Sequence, residues 1–299
     1  ANVILFNSHH KIEEALRIKR RYPNKIFIHR VDGPISLVRG KDAWLDKGIF
    51  LINALIADGT VFQSDWSRAR CFEKGMARSK YETCIFNAPD PEIFYRKSCR
   101  SLSSRKIKIV ATSWSANLRK GFDIYRYLDE RLDFRKYEMT FIGNSPVKFR
   151  NIRHIGPLPS NLLAEELRRH DIFITASLND PCSNSLVEAL HCGLPAVVRN
   201  SGGHPEIVGE AGVVFNGEHD VCEAIEKVTN NYGEFCRRLN PIGIEEVGNK
   251  YHAFIEKICS DATDGKYIVK QLSSVAASKL LAYREFYNLC RMLSRLFTI

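Results

Sequence analysis

The chain has 299 residues, long enough for one or two domains, and two is the better expectation for a sequence with several strand–helix units. With 44% hydrophobic and 26% charged residues it has the balance of a globular protein with a sizeable core; no apolar run reaches the roughly 18–20 residues that span a bilayer, and residues 2–6 are too short an apolar stretch for a signal peptide. A net charge of +10 calls either for an acidic partner (nucleotide phosphates, an anionic membrane surface) or for a basic solvated surface, and the spread of the basic residues argues against nucleic acid.

In chain order, residues 2–6 read as a strand and 11–22 as an amphipathic helix carrying the densest basic cluster, Arg17, Lys19, Arg20 and Arg21. Such a helix suits an anionic membrane, although a solvated face is the commoner role. A strand at 25–29, a Gly-Pro loop, a helix at 42–57, a strand at 60–63, a helix from the cap Ser64 to about Lys74 and a strand at 81–86 complete the first set. Residues 96–106 are polar, serine-rich and basic, and predict an interdomain linker. Strands follow at 107–112, 137–142, 151–155, 171–176, 196–199 and 212–215, with helices at 162–169, 184–191 and 220–232 and mostly helix beyond.

Strands alternating with helices in this way predict an α/β fold of two Rossmann-like domains facing across a cleft. The expected divisions are 1–98, 99–264 and a C-terminal helix, 265–299, that crosses back to the first domain. Neither G-x-G-x-x-G nor a Walker A sequence occurs, which disfavours dinucleotide-dependent dehydrogenases and P-loop NTPases. Nine scattered cysteines without a C-x-x-C pair argue against a disulfide framework or a zinc site, and for a reducing cytoplasm.

The densest site signal follows the strand at 171–176. Asp180 falls in the loop at the strand's carboxyl end, and Glu188 in the second turn of the next helix. Between them Ser183, Asn184 and Ser185 are competent caps, and the free N–H groups of that helix end form an anion site. Either acid alone would pass for a turn residue or a solvated helix position.

The stretch Glu188-Ala189-Leu190-His191-Cys192-Gly193-Leu194-Pro195, followed by Gly202-Gly203-His204-Pro205-Glu206, resembles the donor site of the family 4 glycosyltransferases, retaining enzymes of GT-B fold. Lys120-Gly121, Phe141-Ile142-Gly143, Ile155-Gly156-Pro157-Leu158 and Asn87-Ala88-Pro89-Asp90 extend the likeness over roughly residues 60–232. The resemblance implies that Glu188 holds the donor ribose, Asp180 the transferred sugar, Lys120 the diphosphate, and the amides of Ser183, Asn184 and Ser185 the phosphate or sugar. Gly143 and Leu158 then belong to the donor pocket, Gly202 and Gly203 allow close backbone approach, and His204 lines the same pocket. His29 resembles a family histidine that approaches the reacting sugar.

Three departures stand out. Asp180 replaces the leading glutamate, Ser115 stands where the family has an arginine, and the first domain is about half the usual length, so an abbreviated or partial acceptor domain is expected. Arg119 and Arg199 are the candidates for the missing charge. His9 and His10 lack a spaced metal-ligand partner, and no D-x-D sequence appears, so neither a metal nor another cofactor is expected. The expected activity is transfer of a sugar, with retention, from a nucleotide-diphosphate sugar to a glycan, lipid-linked or small-molecule acceptor. A catalytically silent nucleotide-sugar-binding subunit and a sugar-nucleotide epimerase are the alternatives.

Overall fold

The computed structural model describes residues 2–96, 102, 106–273 and, beyond these, 275, 278–280, 282, 283, 285, 286, 289 and 292. The chain divides into two compact units, residues 1–85 with 248–299 and residues 86–247. Most of the expected linker, including Cys99, lies outside the described residues, as does Cys290; the ten described positions between 275 and 292 are helical, and the rest of that expected final helix lies outside them.

The first unit runs β1 (Val3–Asn7), α1 (Ile12–Arg21), β2 (Ile26–Val31), α2 (Ile35–Arg39), α3 (Ala43–Ile56), β3 (Gly59–Phe62), α4 (Asp65–Glu73) and β4 (Glu82–Cys84). Its strands form one parallel sheet in chain order, β1-β2-β3-β4. Ser64 caps α4 by accepting from the Ser67 N–H at 3.1 Å, as its sequence position predicts. The short helix α2 occupies what reads as a Gly-Pro loop; Asp46 makes it possible by accepting the Ile35 N–H at 2.6 Å.

One expectation fails on α1. Lys19 is not part of a solvated basic face but is fully buried, its Nζ 3.6 Å from Asp58 and donating to the Lys25 carbonyl at 2.9 Å. Asp58 also accepts from the N–H groups of Phe27 and Lys270 and from the Tyr267 hydroxyl, each at 2.8 Å. This carboxylate therefore joins the start of β2, the end of α1 and the C-terminal segment, its buried charge offset by the Lys19 ammonium and three hydrogen bonds.

The second unit begins with β5 (Ile107–Ser113), a 3-10 turn (Leu118–Lys120), α5 (Phe122–Arg131), β6 (Tyr137–Gly143), β7 (Arg153–Ile155), α6 (Ser160–Leu167) and β8 (Ile172–Thr175). It continues through α7 (Asn184–His191), β9 (Ala196–Arg199), α8 (His204–Val208), β10 (Gly212–Phe215), α9 (Val221–Asn230) and α10 (Tyr232–Arg237), and α11 (Ile244–Thr263) follows. The sheet is wholly parallel in the order β10-β9-β8-β5-β6-β7. Alternate side chains bury both faces: Ile109, Ala111, Ile172 and Ile174 pack with α5 and α9, whereas Val110 and Phe173 pack with α6 and α7. Chain growth turns outward from β5 to β7, then restarts on the other side at β8. The order is that of a dinucleotide-type Rossmann sheet, with its switch point between β5 and β8.

Candidate functional site

The switch point leaves a crevice at the carboxyl ends of β5 and β8, because the connections leaving those two strands run to opposite sides. A relay of side chains shapes the loop after β5. The Ser113 hydroxyl accepts the Ser115 N–H, the Ser115 hydroxyl accepts the Asn117 N–H, and the Asn117 side-chain Oδ1 accepts the Arg119 N–H at 2.9 Å, opening the 3-10 turn. The Leu178 N–H then donates to the Arg119 carbonyl at 2.7 Å, stitching this loop to the one after β8. Gly121 completes the join at φ +86°, where a Cβ would stand 2.3 Å from the Ala176 carbonyl oxygen. Lys120 is thereby delivered to Asp180, its Nζ donating to Oδ2 at 3.0 Å.

Asp180 is held from behind. Asn179 adopts the left-handed region at φ +56° and donates its N–H to the Ser201 hydroxyl at 2.9 Å. The Gly203 N–H donates to the Asp180 carbonyl at 2.9 Å, and a Cβ on Gly202 would lie 2.2 Å from that same oxygen. The close approach expected of Gly202-Gly203 is therefore made first to the Asp180 backbone. Next to them His204 is fully buried, with Nδ1 3.3 Å from the Arg199 carbonyl and no hydrogen-bond partner for Nε2 among the described residues. Burial lowers its pKa, while the Asp180 charge opposes that shift.

Helix α7 begins four residues beyond Asp180. The buried Ser183 hydroxyl caps it, accepting the Leu186 N–H at 3.4 Å and meeting the Ser185 hydroxyl at 3.0 Å. The Val187 N–H is taken by the Ser183 carbonyl, whereas those of Asn184 and Ser185 find no acceptor among the described residues. Two donors at the positive end of a helix dipole are thus available to an anion. The Asn184 side chain is fixed by a 2.7 Å hydrogen bond from Asn87. One turn further, Glu188 is largely buried without a hydrogen-bond or ion-pair partner among the described residues, and burial alone raises its carboxyl from 4.5 to about 7.

The remaining expected residues separate. Arg199 is committed to Asp123, at 2.9 Å, in the first turn of α5. Arg119 and Ser115 both lie on the loop that leads into Lys120, Arg119 half-buried and Ser115 exposed. Gly143, at φ +124°, sits against Ser113, whose carbonyl oxygen would be 1.8 Å from a Cβ there, and so sets where that loop leaves the sheet. Leu158 is half-buried against the core shared by α6 and α7.

His29 is placed elsewhere. It is fully buried in the first unit, stacked on Phe6 at 4.2 Å, with Nε2 3.0 Å from the Ser8 carbonyl and Nδ1 3.1 Å from Asn53 Nδ2. Burial lowers its pKa to about 4, so Nε2 donates, Nδ1 accepts and the ring is neutral at physiological pH. No atom of this ring is left to touch a sugar, and the expected catalytic role is replaced by a core hydrogen-bond role.

Sequence reasoning passed over helix α5 altogether, and with it Asp123 and Tyr125. The Tyr125 hydroxyl accepts the Ala176 N–H at 3.2 Å and fixes the end of β8 from which the Asp180 loop departs. The spacing of Phe122, Tyr125, Leu128 and Leu132 was the available signal. Among the described residues no group of three or more His, Cys, Asp or Glu side chains is placed to hold a metal ion, and no helix is long and apolar enough to cross a membrane.

Residues 125–231 match the family model of the glycosyl transferases group 1. No curated protein sequence matches the chain. Among solved structures, Anabaena HepE in complex with UDP-glucose is similar with a TM-score of 0.66 and 12% identity over 87% of this chain and 79% of that one. The sucrose-phosphate synthase of Thermosynechococcus elongatus is similar with a TM-score of 0.63 and 13% identity, over 96% of this chain and 74% of that one. The catalytic domain of starch synthase IV from Arabidopsis thaliana, bound to ADP and acarbose, gives 0.66 and 13% over 86% and 73%. The chain therefore has the fold of the GT-B glycosyltransferases, and residues 125–231, within the unit that holds the Lys120–Asp180 crevice, match the glycosyl transferases group 1.

Proposed function

We propose that the chain transfers a sugar from a nucleotide-diphosphate sugar to an acceptor hydroxyl, with retention at the anomeric carbon and without a divalent ion. The observation that carries this reading is the meeting of Lys120 and Asp180 at the sheet's switch point, beside two unsatisfied N–H donors of α7. An incoming diphosphate competes with Asp180 for the Lys120 ammonium. Once displaced, the Asp180 carboxylate is free to accept hydrogen bonds from hydroxyls of the donor sugar. The Asn184 and Ser185 amides and Lys120 neutralise the charge that grows on the departing nucleotide. Glu188 takes the ribose hydroxyls, and a carboxyl raised to about 7 by burial alone is one whose charged form lacks such donors. The bound UDP-glucose of the Anabaena protein supports a uridine nucleotide as the first donor to try. A cytoplasmic site of action, with a glycan, lipid-linked or small-molecule acceptor, fits this reading.

The test is a panel of nucleotide sugars screened by thermal shift, followed by donor hydrolysis and transfer assays on the wild type, Lys120→Ala and Glu188→Gln. One or more donors should raise the melting temperature by mass action, and both variants should weaken that response. Unchanged donor affinity in both variants would overturn the site. Binding without turnover, across a broad acceptor screen, would identify a silent nucleotide-sugar-binding subunit instead.

A further inference from the structure

A cavity of about 680 Å³ lies within the first unit, between α1, α3 and the C-terminal segment, and the donor reading makes no use of it. The apolar part of its lining comes from Ile12 and Leu16 of α1, Leu45 and Ile49 of α3, and Leu272 and Leu280 of the C-terminal segment. Its volume falls in the range of about 300–1,000 Å³ typical of small-molecule sites. This apolar part of the lining offers no partner for the hydroxyls of a sugar ring.

Charge at the cavity is one-sided. The exposed Arg17, Arg20 and Arg21 line it, three and four residues apart and so on one face of α1, with Lys11 at the head of that helix. Glu13 is the one acid among the described lining residues, and Lys11 is already engaged with Glu14 at 3.9 Å. Arg17 and Arg20 have no ion-pair or hydrogen-bond partner among the described residues. Lys19, which would otherwise add to this group, is withdrawn into its buried pair with Asp58. Guanidinium groups match the oxygens of a phosphate in a way a single ammonium does not.

We infer that this cavity binds a single-chain anionic amphiphile, its apolar tail between α1 and α3 and its phosphate on Arg17, Arg20 and Arg21. An apolar enclosure edged by unpaired guanidinium groups complements that chemistry in both parts. The inference is independent of the donor site, because every described lining residue belongs to the first unit.

Isothermal titration of the full chain with octyl, decyl and dodecyl phosphate, each below its micelle concentration, tests it. Saturable one-to-one binding is expected, tightening about fourfold per methylene until the cavity is filled and then levelling off. Dodecyl maltoside should bind at least tenfold more weakly, and inorganic phosphate should show no saturable binding. Arg17→Gln combined with Arg20→Gln changes two exposed positions only, and should cost at least tenfold in dodecyl phosphate affinity. Leu16→Trp fills the cavity and should abolish binding. Absence of saturable binding would overturn the inference, as would equal affinity for dodecyl maltoside and dodecyl phosphate. So would unaltered affinity in Leu16→Trp. Binding confined to vesicles of anionic phospholipid, and equal in the wild type and Leu16→Trp, would assign the arginines to a membrane surface and dismiss the cavity.

Discussion

Two lysine–aspartate pairs sit in the two units, and their surroundings give them opposite roles. Lys19 and Asp58 lie at the amino edge of the first sheet, both side chains fully buried, with Asp58 also saturated by two backbone N–H groups and a tyrosine hydroxyl. Lys120 and Asp180 lie at the carboxyl edge of the second sheet, 27% and 16% exposed, with two unsatisfied helix amides beginning four residues after the aspartate. A pair that is sealed and saturated has nothing left to offer a ligand, so its energy goes into holding chain segments together. A pair that is open and under-saturated is weak as a staple and available for exchange. The strand order adds the second distinction: the β1-β2-β3-β4 sheet grows in one direction, whereas the other sheet reverses between β5 and β8, where its pair resides.

The sharpest way to break this comparison is to remove one aspartate or lysine from each pair. Asp58→Ala strands a buried ammonium and two N–H groups, and should destabilise the fold by about 3–5 kcal/mol in urea unfolding. A loss below about 1 kcal/mol would put Asp58 on the same footing as a surface acid. Lys120→Ala should change stability by less than about 1 kcal/mol, because the pair it breaks is partly solvated. Its effect should appear in turnover instead, as a loss of about a hundredfold or more in steady-state transfer. Large unfolding effects in both variants would erase the distinction.

Gly202→Ala probes how the open pair is positioned. The new Cβ would lie 2.2 Å from the Asp180 carbonyl oxygen at a φ of +67°, so both the left-handed strain and the clash act on the residue that meets Lys120. A cost of about 3 kcal/mol in stability and a weakened donor response in thermal shift are expected. Full retention of both would show that the Asp180 loop is held by other contacts.

Local pattern carried much of this molecule. Strands β9 and β10 and helix α7 have the bounds that hydrophobic runs and caps imply, and the Asp180 to Glu188 stretch was legible because its chemistry is concentrated in consecutive residues. What stayed hidden depended on partners far along the chain. Lys19 shares a helix face with the buried Ala15, yet its carboxylate is Asp58 and its other acceptor the Lys25 carbonyl. His29 read as the last residue of a strand, open to a ligand beyond it, but β2 continues to Val31 and Asn53 of α3 supplies the ring's partner. Helix α5 opens on Gly121 in the left-handed region without a side-chain cap, so the usual start signal was missing where the helix begins.

Glu188 offers the finest discrimination, because stability and ligand binding respond to its ionisation in opposite senses. Its folded pKa is raised by burial from 4.5 to about 7, so between those values the folded state holds a proton that the unfolded state has released. The contribution of Glu188 to stability is therefore greatest below about pH 4.5, falls as pH rises through this window and levels off above about 7. Allowing for the part of the carboxyl that water reaches, the loss amounts to about 2 kcal/mol. Glu188→Gln removes it, so the variant should gain on the wild type by that amount near pH 8.5 and match it near pH 4. Donor binding should follow the reverse course in the wild type, strengthening as the carboxylate forms and accepts the ribose hydroxyls, and this pH dependence should vanish in Glu188→Gln. Paired denaturation and donor titrations at the two pH extremes separate a carboxyl kept for a ligand from one that is merely buried: the second would show the stability gain with no change in the pH dependence of binding.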